Sequence, residues 1–323
     1  GLADSITAVD VIRGGFFRNR GVYVVGRIRL YSGSVVPLIL ALLHDEAGIY
    51  IDAVLADEPE AHNLFSTTRA NFIVTNDHYH ELAEFLYGIM PKRPLGLHYS
   101  SLGFNHFGKV AVMDELTAEL TEDDAVLDTA VGFPGTVAIG FQAPGSVYNL
   151  KVIRDHPTDN YKWGDFAGVE SVLEKYRRVH DINRTGSMLD NAIYYNVTLP
   201  KSHFATELLS EMLEDASNAV SLRGTTVFFQ HLIVQRKMIP MPVFLEQAPR
   251  EDCERAVISL GQCIKNNMAA NIFNRDLDGR NYGVGSHIRV YLFDYDALEP
   301  FTDVKIRSNQ GRFDGEEDIP GWF

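Results

Sequence analysis

What most restricts the fold of this chain is the order of its apolar runs after residue 124. Two strand-like stretches, Thr136–Ala143 and Val147–Asp155, are separated by Pro144-Gly145-Ser146, a hairpin-like break. Helical spacing follows around Val169–His180 and from Phe204 to Val220, where Phe204, Leu208, Leu209, Met212, Leu213 and Ala216 share one side. Thr226–Met238 is strand-like and ends at Pro240 and Pro242. A long helix is expected over Arg250–Ala270, then irregular sequence, then a strand at Arg289–Phe293. A strand-rich lobe to about residue 235, a hinge at 235–240 and a helix-opened lobe together predict a bilobal domain over 124–323.

The first third is α+β in pattern. Strand-like runs at Gly21–Leu30, Val35–His44 and Gly48–Ala56 precede a helix whose Leu82, Phe85, Leu86 and Ile89 recur at helical spacing before Pro91. From Met113 to Asp128 the sequence turns acidic, which reads as a helix end and a connection. The domain boundary is therefore expected near 123, leaving 1–123 as a first, partial α/β domain. A length of 323 residues, 46% of them apolar, suits two domains. The longest apolar run, Val35 to Leu43, contains Pro37 and falls far short of the roughly 20 residues of a membrane span. It predicts a buried strand and no membrane association. Twenty-nine Lys and Arg against 43 Asp and Glu give a net charge of −14, which argues against nucleic acid as a partner. Cys253 and Cys263, the two cysteines, fall in one expected helix, so neither a disulfide framework nor a zinc site is expected, and a reducing, cytoplasmic setting fits. The first residue is Gly rather than Met, and the chain is expected to be a piece of a longer protein.

Phosphoryl transfer needs a loop and a lysine for the nucleotide phosphates, oxygen ligands for magnesium, and a group that positions the attacking hydroxyl. Candidates occur in that order. Gly132-Phe133-Pro134-Gly135 precedes the first strand of the hairpin, where two glycines let backbone N–H groups approach phosphate oxygens. Lys151 lies inside the apolar run Tyr148–Ile153, where a cation is costly without an anion, although an edge-strand lysine facing water fits the same pattern. The sharper signal is Asn274-Arg275-Asp276-Leu277-Asp278-Gly279-Arg280-Asn281, then an apolar strand ending in Asp294-Tyr295-Asp296. In protein kinases an Asp, an Asn five residues on, and an Asp after the next strand serve the substrate hydroxyl and the magnesium ions. Asp276, Asn281 and Asp294 reproduce that order, with Asn274 in place of His and Asp-Tyr-Asp in place of Asp-Phe-Gly. A calcium loop starting at Asn274 fails because its twelfth position is Gly285. His78 and His80 do not share a helical face and read as solvated.

With these residues, longer stretches resemble the bacterial isocitrate dehydrogenase kinase/phosphatase family. Phe17-Arg18-Asn19 with Val25-Gly26-Arg27, Ile51-Asp52-Ala53-Val54-Leu55, His231-Leu232 through Met238-Ile239-Pro240, Ala269-Ala270-Asn271-Ile272-Phe273 and Phe293-Asp294-Tyr295-Asp296 each resemble a stretch of that family, in order and over nearly the whole length. The resemblance implies a regulatory domain followed by a protein-kinase-like domain, AMP bound between them as an effector, and one ATP site for phosphorylating and dephosphorylating a serine of isocitrate dehydrogenase at the glyoxylate branch point. It implies that Lys151 contacts the phosphates, Asp276 acts as the base, Asn281 and Asp294 hold Mg²⁺ or Mn²⁺, and the backbone of Gln235, Arg236, Lys237 and Met238 meets adenine. Glu174, or else Glu170, is the helix partner expected for Lys151. Asp190 and Asp296 are the carboxylates implied for the phosphatase. The chain departs from the family at Leu222 and Ile193, which leaves fewer carboxylates to orient water, and at Arg280 and Pro134. A homodimer is compatible with the resemblance. The rival reading is a non-catalytic module that senses AMP or ATP.

Overall fold

In the computed structural model the described residues are 5–18, 20–65, 72–122, 125–161, 165–183 and 186–304. The expected boundary at 123 lies outside them. Two compact units result, Gly1–Leu127 with Ala143–Tyr148, and Asp128–Gln142 with Asn149–Phe323.

The first unit opens with β1 (Ile6–Val11), β2 (Phe16–Arg18), β3 (Gly21–Leu30), β4 (Val35–Asp45) and β5 (Gly48–Leu55), followed by α1 (Glu58–Phe65), β6 (Ile73–Val74), α2 (Tyr79–Ile89), α3 (Leu95–Ser101) and α4 (Asn105–Glu122). The strands form an antiparallel sheet in the order β5-β4-β3-β2-β6, with β1 on the far half of β3. Alternation along β3 and β4 sends Val25 and Ile39 inward, where they meet Phe16, Phe65 and Phe72 and the Leu82, Ala83, Leu86 and Ile89 stripe of α2. The run Val35–Leu43, expected to be buried, is only half so, since its outward residues keep some exposure. The acidic stretch, expected to be a helix end and a connection, is helix to Glu122; earlier in α4 the helix packs closely on α3, where a Cβ on Gly108 would lie 2.9 Å from the Gly96 carbonyl oxygen.

The second unit contains β7 (Asp128–Thr129), β8 (Ala138–Gln142), β9 (Tyr148–Ile153), α5 (Val169–Ile182), β10 (Asn191–Pro200), α6 (Thr206–Asp215), β11 (Val220–Arg223), β12 (Thr226–Arg236) and β13 (Ile239–Pro240), then α7 (Met241–Gln247), α8 (Arg250–Ala269), β14 (Ile272–Asn274), β15 (Tyr282–Val284), β16 (Val290–Leu292) and β17 (Leu298–Pro300). One sheet runs β10-β12-β9-β8-β7 with β11 also on β12, and smaller ribbons join β13-β15-β16 and β14-β17. β10, unexpected from the sequence, pairs with β12 from Asn191↔Gln235 to Pro200↔Thr226. The core wraps α5: Leu173, Tyr176 and Val179 pack with Ile153, Ile233, Leu292 and Tyr295. Strand-rich and helix-rich halves thus meet on that helix.

Two histidines are buried in neutral form. Burial, aided by the charge of Arg93, lowers the His98 pKa to about 3, and burial lowers that of His231 to about 4. His231 Nε2 accepts a hydrogen bond of 3.1 Å from the Ile153 N–H, which a protonated ring could not do. Both folded values lie below the unfolded 6.5, so their stabilising contribution is complete above pH 6.5 and is lost as pH falls. At pH 5 each site has lost roughly 2 kcal/mol. Thermal unfolding is expected at a clearly lower temperature at pH 5 than at pH 7.5, and His231→Gln is expected to shrink the difference. Equal midpoints at the two pH values contradict this.

Candidate active site

β9 is an interior strand between β12 and β8, so Lys151 is not an edge residue facing water. Its side chain is half-buried, and Nζ donates to the Phe293 carbonyl at 3.2 Å and the Tyr176 hydroxyl at 3.3 Å. Burial lowers the ammonium pKa, opposed by the charges of Asp294 and Asp296. The helix carboxylate expected beside it is absent. Glu174 and Glu170 both pair with Arg177, each at 2.5 Å, and both are exposed. The α5 face turned to Lys151 carries Tyr176, 1% exposed, because that face is also the one packed on Tyr295, 4.9 Å away edge-to-face. A phenol can occupy this buried position without the desolvation that a carboxylate requires.

The strand β14 leads into the acidic loop. The Asp276 N–H donates to the buried Asn274 Oδ1 at 3.1 Å, and Asn281 Nδ2 donates to the Asp276 carbonyl at 3.0 Å, so the loop is closed from end to end. Burial raises the Asp276 pKa, with the Asn281 hydrogen bond acting against it. The β15–β16 hairpin then returns the chain beside this loop, where the Phe293 N–H meets the Asn281 carbonyl at 3.0 Å. Asp294 and Asp296 follow on a turn pinned by the Tyr295 hydroxyl on the Leu189 carbonyl and by Lys175 Nζ on the Asp296 carbonyl. Asp296 Oδ1 is buried without a hydrogen-bond partner. Burial, and then the charge of Asp294, push its pKa up from the ordinary carboxylate range.

A cavity of about 270 Å³ opens onto Lys151, Asp276, Asn281, Asp294 and Asp296. Phe133, Pro134 and Gly135 line one side, and Gln235, Arg236 and Met238 another. Gly132 and Lys237 do not line it; Gly132 instead takes a φ of 127°, with room for no Cβ beside Pro240. Asp190 also stands off the cavity, where its Oδ1 accepts from the Asn191 N–H at 2.9 Å. Leu222 is exposed on β11 and Ile193 is a core residue, so neither faces the cavity. Sequence reading missed Tyr176, Lys175 and Arg154. The last is 4% exposed, ion-paired to Glu211 and Asp215 of α6, and lines the cavity; its one signal was Arg154 at the end of an apolar strand opposite acids spaced i, i+4. The Arg280 guanidinium lies 5.4 Å from the Phe133 ring, so the catalytic-loop arginine touches the glycine turn.

Among the described residues no three His, Cys, Asp or Glu converge as a metal cage. The donors facing the cavity are carboxylates and an amide, all hard oxygens, and Asp296 adds a buried unpartnered one. This suits Mg²⁺, which takes one or two carboxylates and completes its shell with phosphate and water. Because Glu174 is engaged by Arg177 at the surface, Glu174→Ala is expected to change Mg·ATP affinity less than twofold in a calorimetric titration. A tenfold loss contradicts the placement of Tyr176 as the partner of Lys151.

Residues 125–319 match the isocitrate dehydrogenase kinase/phosphatase (AceK) kinase domain, and residues 2–124 match the regulatory domain of the same family. An isocitrate dehydrogenase kinase/phosphatase of Rhodopseudomonas palustris (strain HaA2) is 54% identical over 312 residues, 95% of this chain and 52% of that protein. Isocitrate dehydrogenase kinase/phosphatase 2 of Pseudoalteromonas translucida is 33% identical over 302 residues, 93% of this chain and 52% of that one. The chain spans about half the length of the curated relatives it matches. A co-crystal structure of WbdD with a kinase inhibitor matches 61% of this chain and 46% of that one at 14% identity and a TM-score of 0.26, too low to carry a conclusion. On the two family matches, which together run from residue 2 to residue 319, the chain belongs to the isocitrate dehydrogenase kinase/phosphatase family.

Proposed function

We propose that this chain carries the ATP site of a bifunctional enzyme that reversibly phosphorylates a serine of isocitrate dehydrogenase and so controls flux into the glyoxylate bypass. The observation that carries the reading is the gathering of Lys151, Asp276, Asn281 and Asp294 around one cavity between the glycine turn and the end of β12. Adenine lies against the backbone at Gln235–Met238, and Lys151 binds phosphate oxygens, exchanging its carbonyl and phenol partners for an anion. Asn281 and Asp294 hold Mg²⁺ or Mn²⁺, which when bound neutralises phosphate charge. Asp276 orients the substrate hydroxyl and takes its proton; burial, by raising the Asp276 pKa, favours that task. Gly132 acts through its backbone conformation, at a φ of 127°, and Lys237 through its backbone beside adenine. Asp296, which lines the cavity and whose pKa burial and the Asp294 charge raise, gives or takes a proton in the reverse, hydrolytic reaction. Asp190, implied as a phosphatase carboxylate, stands off the cavity, its Oδ1 accepting from the Asn191 N–H.

AMP is proposed as an allosteric effector, and a homodimer as the assembly. No helix among the described residues is long and apolar enough to cross a membrane, and the cytoplasm, where ATP and isocitrate dehydrogenase meet, is the proposed location.

Lys151→Ala and Asp294→Ala are expected to abolish measurable Mg·ATP binding while the fold persists by circular dichroism. Parent-like affinity in both sinks the assignment. With isocitrate dehydrogenase and labelled ATP, the chain is expected to transfer phosphate above an Asp276→Asn control. Nucleotide binding with transfer no greater than the control favours a sensing module instead.

A further inference from the structure

The β14–β17 ribbon links the two acidic segments of the cavity. β14 runs directly into Arg275-Asp276, and β17 begins two residues after Asp296. The pairs Ile272↔Pro300, Phe273↔Glu299 and Asn274↔Leu298 are extended at the cavity end by the Arg275 N–H on the Ala297 carbonyl at 3.0 Å. Arg275 and Glu299 add a partly exposed ion pair at 3.7 Å. Three paired residues are too few to hold together without help at the open end. There the ribbon is closed by Asn271. Its backbone carbonyl accepts from the Phe301 N–H at 3.2 Å, and its side-chain Oδ1 accepts from the Thr302 N–H at 2.9 Å.

Asn271 has this reach because of its conformation. It directly follows the last turn of α8, its own N–H returns to the Met268 carbonyl at 3.0 Å, and its φ is 60°. Asn tolerates that left-handed region far better than other residues with a β-carbon, and it is a common helix terminator for that reason. Helix termination and the clamp are therefore separable. Glycine satisfies the first without the second, and aspartate keeps an acceptor oxygen for the second. None of these atoms lines the cavity, so Asn271 cannot act by touching nucleotide.

We propose that Asn271 is a positioning residue: its side chain closes the β14–β17 ribbon that ties the Asp276 loop to the Asp294–Asp296 turn, and so sets the rate of phosphoryl transfer rather than the affinity for nucleotide. The proposal rests on the kinase reading above. Lys151 and the hinge backbone, the contacts proposed for nucleotide, lie on β9 and at the end of β12, neither of which pairs with the ribbon. Asn281 is bonded to the Asp276 carbonyl, and the Phe293 N–H on the Asn281 carbonyl at 3.0 Å is a second tie that keeps Asp294 beside Asn281 when the clamp is lost. The distance between Asp276 and Asp296 does depend on the ribbon.

The test compares the parent with Asn271→Gly and Asn271→Asp in the chain as it stands. Hydrogen exchange at the Thr302 and Leu298 amides, Mg·ATP affinity by calorimetry, and the turnover and KM for ATP in phosphoryl transfer are measured for each. The glycine variant is expected to speed amide exchange at Thr302 about fivefold to tenfold, the loss of one ordinary hydrogen bond. Its turnover is expected to fall about tenfold with KM for ATP within twofold, and the aspartate variant is expected to recover most of both. Parent-like exchange and turnover in the glycine variant overturn the proposal. So does an equal loss of nucleotide affinity and turnover, or an aspartate variant as impaired as glycine. If the parent itself transfers no phosphate, the functional reading fails and the rate claim with it, while the exchange rates still decide whether the clamp exists.

Discussion

The ammonium of Lys151, placed on an interior strand, is the constraint around which the catalytic unit is organised. A cation there must be met by oxygen atoms, and the nearest are the Phe293 carbonyl and the Tyr176 hydroxyl, with the charges of Asp294 and Asp296 behind them. To bring the Phe293–Asp296 segment beneath β9, the β15–β16 hairpin must return to the acidic loop, and α5 must lie across both. Tyr176 and Tyr295, each buried and in edge-to-face contact, make that crossing one packed unit.

The same segment concentrates negative charge that cannot all be expressed at once. Asp294 and Asp296 stand two residues apart in a partly buried turn, and burial together with the Asp294 charge raises the Asp296 pKa. The charges of Lys151 and Lys175 act against that rise. A divalent cation bound there would relieve the same repulsion.

Much of this was legible in the sequence where local pattern and tertiary role coincide. β3, β8, β9, β12 and α8 lie close to their expected spans, because alternation or helical spacing ran uninterrupted between proline and glycine breaks. β10 was hidden: Tyr194, Tyr195 and Asn196 blur the alternation, and Asn196 takes a φ of 57° in mid-strand. The acidic stretch expected to end a helix does so, since α4 runs to Glu122. In the site, the order of Lys151, Asp276, Asn281 and Asp294 was readable, since it depends on spacing along the chain. The lysine's helix partner was not. Which of Glu170, Glu174, Lys175 or Tyr176 faces inward is set by how α5 seats on Tyr295, more than a hundred residues later. Nothing local encodes that rotation.

The most direct test of the account is to locate the metal itself. Crystals of the chain grown with Mn²⁺ and a non-hydrolysable ATP analogue yield an anomalous map of the manganese position. A peak bonded to Asn281 and Asp294, with the analogue's phosphates at Lys151 and its adenine against residues 235–238, is the predicted result. Manganese and nucleotide bound away from these residues would contradict the central claim.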